Sequence, residues 1–144
     1  MLAEAARLEI ETKLARGMTI EEIVTDPDWL QSVVRRSTAQ EAQLPTDEVW
    51  FLDRGTPDSI AYYRKFGREP EPEVDAAFKA FKCRKVFLLD LVDYVNDYAR
   101  PETPEEARAL HEGIRAGYTE LGHEVVPVPL MPVQERVQFI LARL

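Results

Sequence analysis

The sequence is poor in the residues that form disulfides, metal clusters or membrane spans. It contains one cysteine, Cys83, and two histidines that belong to no Cys/His cluster. An internal disulfide is therefore excluded and a zinc site is not indicated, which suits a reducing compartment. No apolar run approaches the ~20 residues that cross a bilayer, and Met1 to Ile10 lacks the pattern of a secretory signal. We expect a cytoplasmic protein without a transmembrane segment.

Positive charge is also scarce. Eighteen Lys and Arg residues stand against 26 Asp and Glu residues, which gives a formal net charge of −8. Because binding to nucleic acids and anionic membranes needs clustered positive charge, we expect neither kind of partner. A chain of 144 residues, 45% hydrophobic and 31% charged, is typical of one globular domain, here residues 1–144.

Helix signals punctuate the whole chain. Two capping boxes, Thr19 with Glu22 and Thr103 with Glu106, predict helix starts. Further helices are predicted before Gly17, after Asp26-Pro27, after Pro57, from Pro72, and from Pro132. In the last of these we expect four apolar side chains to face inward: Val133, Val137, Ile140 and Leu144.

Three apolar runs between these helices predict strands. The first two, Val49–Leu52 and Lys85–Leu89, are each followed by an acid, Asp53 and Asp90, and the third comprises Glu124 to Val128. Alternation of such strands with helices predicts an α/β fold with a largely parallel sheet flanked by helices. Ligands of parallel sheets bind at the carboxyl ends of the strands, so the two acids mark a candidate site.

The turn after the first predicted strand has two interpretations. Asp53 can hold magnesium or activate a nucleophile, Arg54 can pair with phosphate, and Gly55 can let backbone approach a ligand. The structural interpretation is that Asp53 caps the turn and Asp58 compensates a helix dipole. Similarly, Asp97 and Arg100 suit either a loop that closes over phosphates or an ordinary solvated loop.

The same turn resembles the second acidic motif of a family of P-loop ATPases, AAA-like domains related to nicotinamide riboside kinase and other small-molecule kinases. The matching residues are Asp53-Arg54-Gly55, Pro57, Asp58, Ala61 and Tyr62. The start and the C-terminal third resemble this family as well, at Glu4 to Arg7, Glu106-Ala107, His111, Ile114, Tyr118, Leu121-Gly122, Glu124 to Val126, Val128-Pro129, Val133, Glu135-Arg136 and Phe139-Ile140.

The resemblance implies a role for each matching position. Asp53 would be a catalytic acid near magnesium and Arg100 the lid arginine. Arg54 and Asp58 would face phosphate or an acceptor substrate, and we place Asp97 with them. Val128 and Pro129 would border the nucleotide base. The implied cofactors are magnesium and ATP or GTP, and the implied partners are a nucleotide and a small-molecule phosphate acceptor.

One family element has no counterpart in these 144 residues. The phosphate-binding loop G-x-x-x-x-G-K-[ST] is not in the sequence, nor is the strand before it, which the family places between the strands that end at Asp53 and Asp90. We expect one of three situations. The domain is incomplete because its start was assigned at an internal methionine, the sheet has closed up without the strand, or a partner supplies the strand.

The leading functional hypothesis is the C-terminal part of a nucleotide-binding ATPase or kinase-like domain, inactive in this form because the phosphate loop is missing. The alternative is a non-catalytic binding or regulatory module that pairs with a partner or with itself. A weaker alternative is a phosphate- or lipid-binding protein that uses Arg54 and Arg100. The sequence does not choose between ATP and GTP or name the acceptor and the oligomeric state.

Overall fold

The structure, a computed structural model, describes residues 4–91 and 103–144. The predicted residues Asp97 and Arg100 lie outside these ranges. The elements in chain order are α1 (Ala5–Ala15), α2 (Ile20–Thr25), α3 (Trp29–Glu41), a 3₁₀ turn (Thr56–Asp58), α4 (Ser59–Lys65), α5 (Pro72–Ala80), β1 (Val86–Leu89), α6 (Pro104–Glu120), β2 (Val125–Val128) and α7 (Val133–Leu141). None of the helices in the described ranges is long and apolar enough to cross a membrane.

Local capping explains where the helices begin and end. Both predicted capping boxes are formed: the Thr19 and Thr103 hydroxyls accept hydrogen bonds from the backbone amides three residues later. These bonds satisfy amides that the first helical turn leaves without a partner. Gly17 adopts a positive φ of 88° directly after α1, as expected for a helix end.

The main hydrophobic core lies among the N-terminal helices and α4 and α5. Apolar residues of α1, α2 and α3 pack against one face of α4 and α5, with Ile23 fully buried. Along α3 the buried residues Leu30, Val33, Val34 and Ser37 recur at helical spacing. The buried core residues are Ile10, Ile23, Trp29, Leu30, Val33, Val34, Tyr63, Val74 and Phe78.

A sheet of two parallel strands confirms the α/β prediction. β1 pairs with β2 in a register that aligns Val86 with Val125 and Leu89 with Val128. Between the strands, α6 packs on α4, where Gly113 and Gly117 allow a close approach: a Cβ at Gly113 would lie 3.2 Å from the Ala61 Cβ. The G-x-x-x-G spacing thus marks close helix packing.

Two sequence predictions are wrong. Residues 49–53 form no strand, and only Leu52 takes part in a β-bridge. Val49 is 60% and Phe51 41% exposed, whereas Trp50 and Leu52 are half-buried, so the run is not covered on both faces as a strand inside a parallel sheet would be. In α7, Val133 and Val137 are 69% and 49% exposed and Leu144 is also exposed, so these side chains do not face inward.

Candidate functional site

A large open groove runs along β1 and is lined by three of the predicted site residues, Asp53, Arg54 and Asp58. It has a volume of about 1210 Å³ and is lined by residues 48–55, by residues 80–91 and by side chains of α6 and α7. Asp53 and Asp90 both line this groove, and both are exposed. We call it the β1 groove.

The two acids do not share a strand edge as expected. Asp90 follows β1 directly and its amide donates to the Val128 carbonyl at 2.9 Å. Asp53 has no strand before it, and Gly55, two residues later, packs against Phe81, ahead of β1. The carboxyl-edge geometry that the sequence predicts is therefore not formed by these two acids.

Arg54 lies at the centre of an ion-pair network. Its Nε donates to a Glu4 carboxylate oxygen at 2.9 Å, and its Nη1 lies 3.6 Å from an Asp58 oxygen and 3.3 Å from the Tyr62 hydroxyl. Burial lowers the pKa of the guanidinium, but its oxygen-bearing neighbours raise it by more, and it stays above its ordinary value. Arg54 therefore carries a permanent charge that ties the start of α1 to α4.

The backbone of Arg54 is unusual as well. Its φ is +71°, in the left-handed region that residues with a Cβ rarely adopt. The conformation turns the chain sharply between Asp53 and Gly55. Backbone strain of this kind persists only where surrounding contacts hold the residue in place. At Arg54 these are the contacts that its guanidinium makes with Glu4, Asp58 and Tyr62.

Asp58 faces the same network from the start of α4. The Tyr118 hydroxyl donates to its Oδ1 at 2.7 Å. Burial raises the pKa of the Asp58 carboxyl above its ordinary value, while Arg54 and Tyr118 counteract part of this effect. Asp58 and Arg54 thus satisfy each other, and neither side chain extends alone into the groove.

Glu41 is a site residue that the sequence did not reveal. Its carboxylate accepts hydrogen bonds from the Thr56 amide at 2.9 Å, the Thr56 hydroxyl at 2.9 Å and the Ser37 hydroxyl at 3.0 Å. Burial raises the pKa of Glu41, although the Thr56 amide opposes the shift. This carboxylate takes up the Thr56 amide at the start of the 3₁₀ turn.

Gly55 has a structural reason to be glycine. A Cβ on Gly55 would lie 2.8 Å from the Phe81 ring and 2.8 Å from the Tyr118 hydroxyl. The close approach that the sequence suggests exists, but the neighbours are aromatic side chains of the protein itself.

Cys83 and His123 also meet beside these rings. The Cys83 Sγ lies 3.6 Å from the His123 Nδ1, and the His123 ring makes edge contacts with Phe81 and Tyr118. Burial raises the pKa of the thiol, and burial with the charge of Lys82 lowers the pKa of the imidazole, so both groups favour their neutral forms. Cys83 lies shortly before β1 and His123 shortly before β2. Because the two strands pair in parallel, their starts lie side by side, and this pairing is the signal from which the contact could have been predicted.

The positions implied for the nucleotide base lie elsewhere. Val128 is the last residue of β2 and is 1% exposed, and Pro129 follows it. Neither residue is among those that line the β1 groove.

A magnesium ion would find limited but suitable donors here. Within residues 4–91 and 103–144, no three His, Cys, Asp or Glu side chains are grouped to hold a metal ion. Magnesium commonly binds through one or two carboxylates together with substrate phosphates and water. The exposed Asp53 carboxylate fits that mode, whereas the Asp58 carboxylate is already used by Arg54 and Tyr118.

Comparison with known proteins gives one family. A family model described as an AAA domain matches residues 1–136, nearly the whole chain. No curated protein and no solved structure matches the sequence. The match agrees with the α/β architecture and with an ATPase of the P-loop type. The chain therefore belongs to the AAA domain family.

Proposed function

We propose that the chain is a nucleotide-binding domain of the ATPase or small-molecule-kinase kind, for ATP or GTP with magnesium. The family match over residues 1–136 carries this proposal. The β1 groove supports it, since it is large enough for a ligand and its exposed carboxylates include Asp53 and Asp90.

Within that function Asp53 is our candidate catalytic acid. In the described part of the chain its carboxylate has neither a hydrogen bond nor an ion pair, and it opens onto the groove. A magnesium ion held there would neutralise phosphate charge. Asp53 would orient that ion or accept a proton from a nucleophile, and Arg100 would close over the phosphates, with Asp97 nearby.

Arg54 and Asp58 receive a positioning role in this proposal. Their charges are mutually compensated, and the φ of Arg54 directs the chain so that the preceding Asp53 stays exposed. Binding to phosphate or acceptor would require these two residues to exchange partners. Val128 and Pro129 remain candidates for the border of the base.

The test is equilibrium titration of a fluorescent ATP analogue, with and without magnesium, against the intact chain. We expect Asp53→Asn to weaken magnesium-dependent binding at least tenfold, because a contact to a charged group contributes roughly 1.5–3 kcal/mol and about 1.4 kcal/mol corresponds to a factor of ten. Asp47→Asn is the matched control, because Asp47 is exposed and does not line the groove. Equal affinities of the two variants would remove Asp53 from the site.

We expect little or no nucleotide turnover from this chain. The backbone amides, lysine and hydroxyl of the motif G-x-x-x-x-G-K-[ST] hold the triphosphate in P-loop enzymes, and the sequence has no such motif. Steady hydrolysis of ATP or GTP that Asp53→Ala abolishes would contradict this expectation.

A second candidate function is a non-catalytic module that pairs with a partner or with itself. The observation that favours it is the sheet: in the described ranges β1 pairs with β2 alone. Light scattering after size exclusion distinguishes a homo-oligomer, with its larger mass, from a monomer that binds a different partner.

A further inference from the structure

A second cavity, smaller than the β1 groove, lies among the N-terminal helices. It has a volume of about 190 Å³, and its described lining comes from α1 to α4, from the turn before α4, and from Glu4 and Phe66 at helix ends. The turn and Tyr62 also line the β1 groove, whereas Asp53 and Asp90 do not line this smaller cavity. We call it the helical cavity.

The wall of the helical cavity is apolar along α1 and α3. Ile10, Trp29, Leu30 and Val33 line it and also belong to the main hydrophobic core. In a protein interior, a cavity of about 150 Å³ with apolar walls binds benzene. The helical cavity therefore has room for an apolar group of the size of one ring, together with a small polar group.

The rest of the wall contains hydrogen-bond donors that the protein itself does not use. Ser59 is 7% exposed, and among the described residues its hydroxyl has no hydrogen-bond partner. The Tyr62 hydroxyl accepts a hydrogen bond from Arg54 Nη1, but its own proton has no acceptor in the described ranges, and the same holds for the protons of Arg54 Nη2. Because buried polar groups are normally hydrogen-bonded, these donors indicate a ligand with acceptor atoms.

The charges around these donors favour an anionic ligand. Arg54 keeps its positive charge, and the carboxylates of Glu4 and Asp58 already lie against it. An ammonium ligand would compete with Arg54 for the same two carboxylates. A carboxylate ligand would instead accept charge-assisted hydrogen bonds from Arg54 Nη2 and from the two hydroxyls. A carboxylate is also small and planar, so most of the volume remains for an apolar group.

We propose that the helical cavity binds a small monocarboxylic acid with an apolar body of about the size of one ring. The carboxylate accepts hydrogen bonds from Arg54 Nη2 and from the hydroxyls of Ser59 and Tyr62. The apolar body packs against Trp29 and Leu30, where it replaces water at an apolar wall. The proposal goes beyond the nucleotide site and does not depend on it, because Asp53 and Asp90 do not line this cavity.

The two tryptophans of the chain allow a direct test by NMR. Trp29 lines the helical cavity and Trp50 lines the β1 groove, so their indole N–H signals report the two spaces separately. In a titration of the isotope-labelled intact chain with sodium benzoate, we expect a saturable shift of the Trp29 signal, with a dissociation constant of about 1 mM or below. The Trp50 signal should stay in place. A Trp29 signal that benzoate does not shift, or a shift confined to Trp50, would overturn the proposal.

Three further probes test the chemical class of the ligand in the same titration. Benzamide has nearly the shape of benzoate without its charge, and we expect it to bind at least tenfold more weakly. Benzylamine carries the opposite charge and should be weaker still. Equal binding of benzamide and benzoate, or tighter binding of benzylamine or phenyl phosphate than of benzoate, would overturn the assignment of a carboxylate.

A pair of serine variants tests where the carboxylate binds. Ser59→Ala removes a hydroxyl that no described residue uses, so it should leave the thermal midpoint unchanged and weaken benzoate binding about tenfold. Ser32→Ala is the matched control: the Ser32 hydroxyl donates to the Trp29 carbonyl at 2.7 Å, and Ser32 does not line the cavity. We expect this control to lower the thermal midpoint and to keep the affinity. Unchanged affinity in Ser59→Ala, or equal losses of affinity in both variants, would overturn the proposed site.

Discussion

Single side chains explain why the turn after Asp53 has its shape. The sequence suggests that Arg54 and Gly55 serve a ligand, and the structure shows contacts of both within the protein. Arg54 takes the left-handed conformation, while Gly55 has an ordinary φ of −117° and, without a Cβ, packs against Phe81 and Tyr118 without a clash. Which of two neighbouring residues adopts a positive φ depends on contacts from distant residues such as Glu4, so the sequence pattern could not decide it.

The backbone strain at Arg54 can be measured by comparing the free energies of unfolding of two variants. Both Arg54→Ala and Arg54→Gly lose the ion pairs, which we expect to cost about 2–3 kcal/mol, since polar partners are left unsatisfied. Arg54→Gly should be the more stable of the two by about 1 kcal/mol, because glycine accepts a positive φ without strain. Urea denaturation gives both values.

The same pair of substitutions at Arg115 serves as the control. Arg115 is exposed in the middle of α6, where glycine is less favourable than alanine by about 1 kcal/mol. The order of the two variants should therefore reverse between the sites. If Arg54→Ala were more stable than Arg54→Gly, the positive φ of residue 54 would store no strain.

Helices were far easier to predict than strands. Capping boxes, prolines in first turns and glycines after last turns act within a few residues, and α1, α2, α4, α5 and α6 all follow them. A strand needs a neighbour that sequence position does not specify. Lys85–Leu89 has such a neighbour in β2, whereas the equally apolar Val49–Leu52 has no strand partner in the described ranges and remains outside the sheet.

Packing of α6 on α4 offers a sharp test of an element contact. Gly113→Leu should lower the free energy of unfolding by about 1–3 kcal/mol, because the new side chain must enter a space where a Cβ alone lies 3.2 Å from Ala61. Arg115→Leu adds a leucine to the same helix on its exposed face and should change stability by less than about 0.5 kcal/mol. Comparable changes in both variants, or a gain in stability for Gly113→Leu as its higher helix propensity alone would give, would mean that contact with α4 does not determine the result.

The assembly of the elements was only partly predictable. The α/β class and the parallel pairing of β1 with β2 follow from the alternation of apolar runs and helices in the sequence. The open β1 groove and the exposed face of α7 could not be predicted in this way. An apolar stripe along a helix looks the same in the sequence whether that face is buried or exposed. In α7 no residue is fully buried.

Glutamine substitutions in α7 test in solution whether its apolar face is exposed or buried. Val133→Gln with Val137→Gln should leave the free energy of unfolding within about 0.5 kcal/mol per site, since both side chains are already exposed. Ile140→Gln is the matched control on the same helix. Ile140 is half-buried and lines the β1 groove, so its replacement should cost about 1–2 kcal/mol through loss of apolar burial. Chemical denaturation of all three chains supplies the comparison. If the double variant lost as much stability as Ile140→Gln, the inward packing that the sequence predicts for α7 would be the correct one.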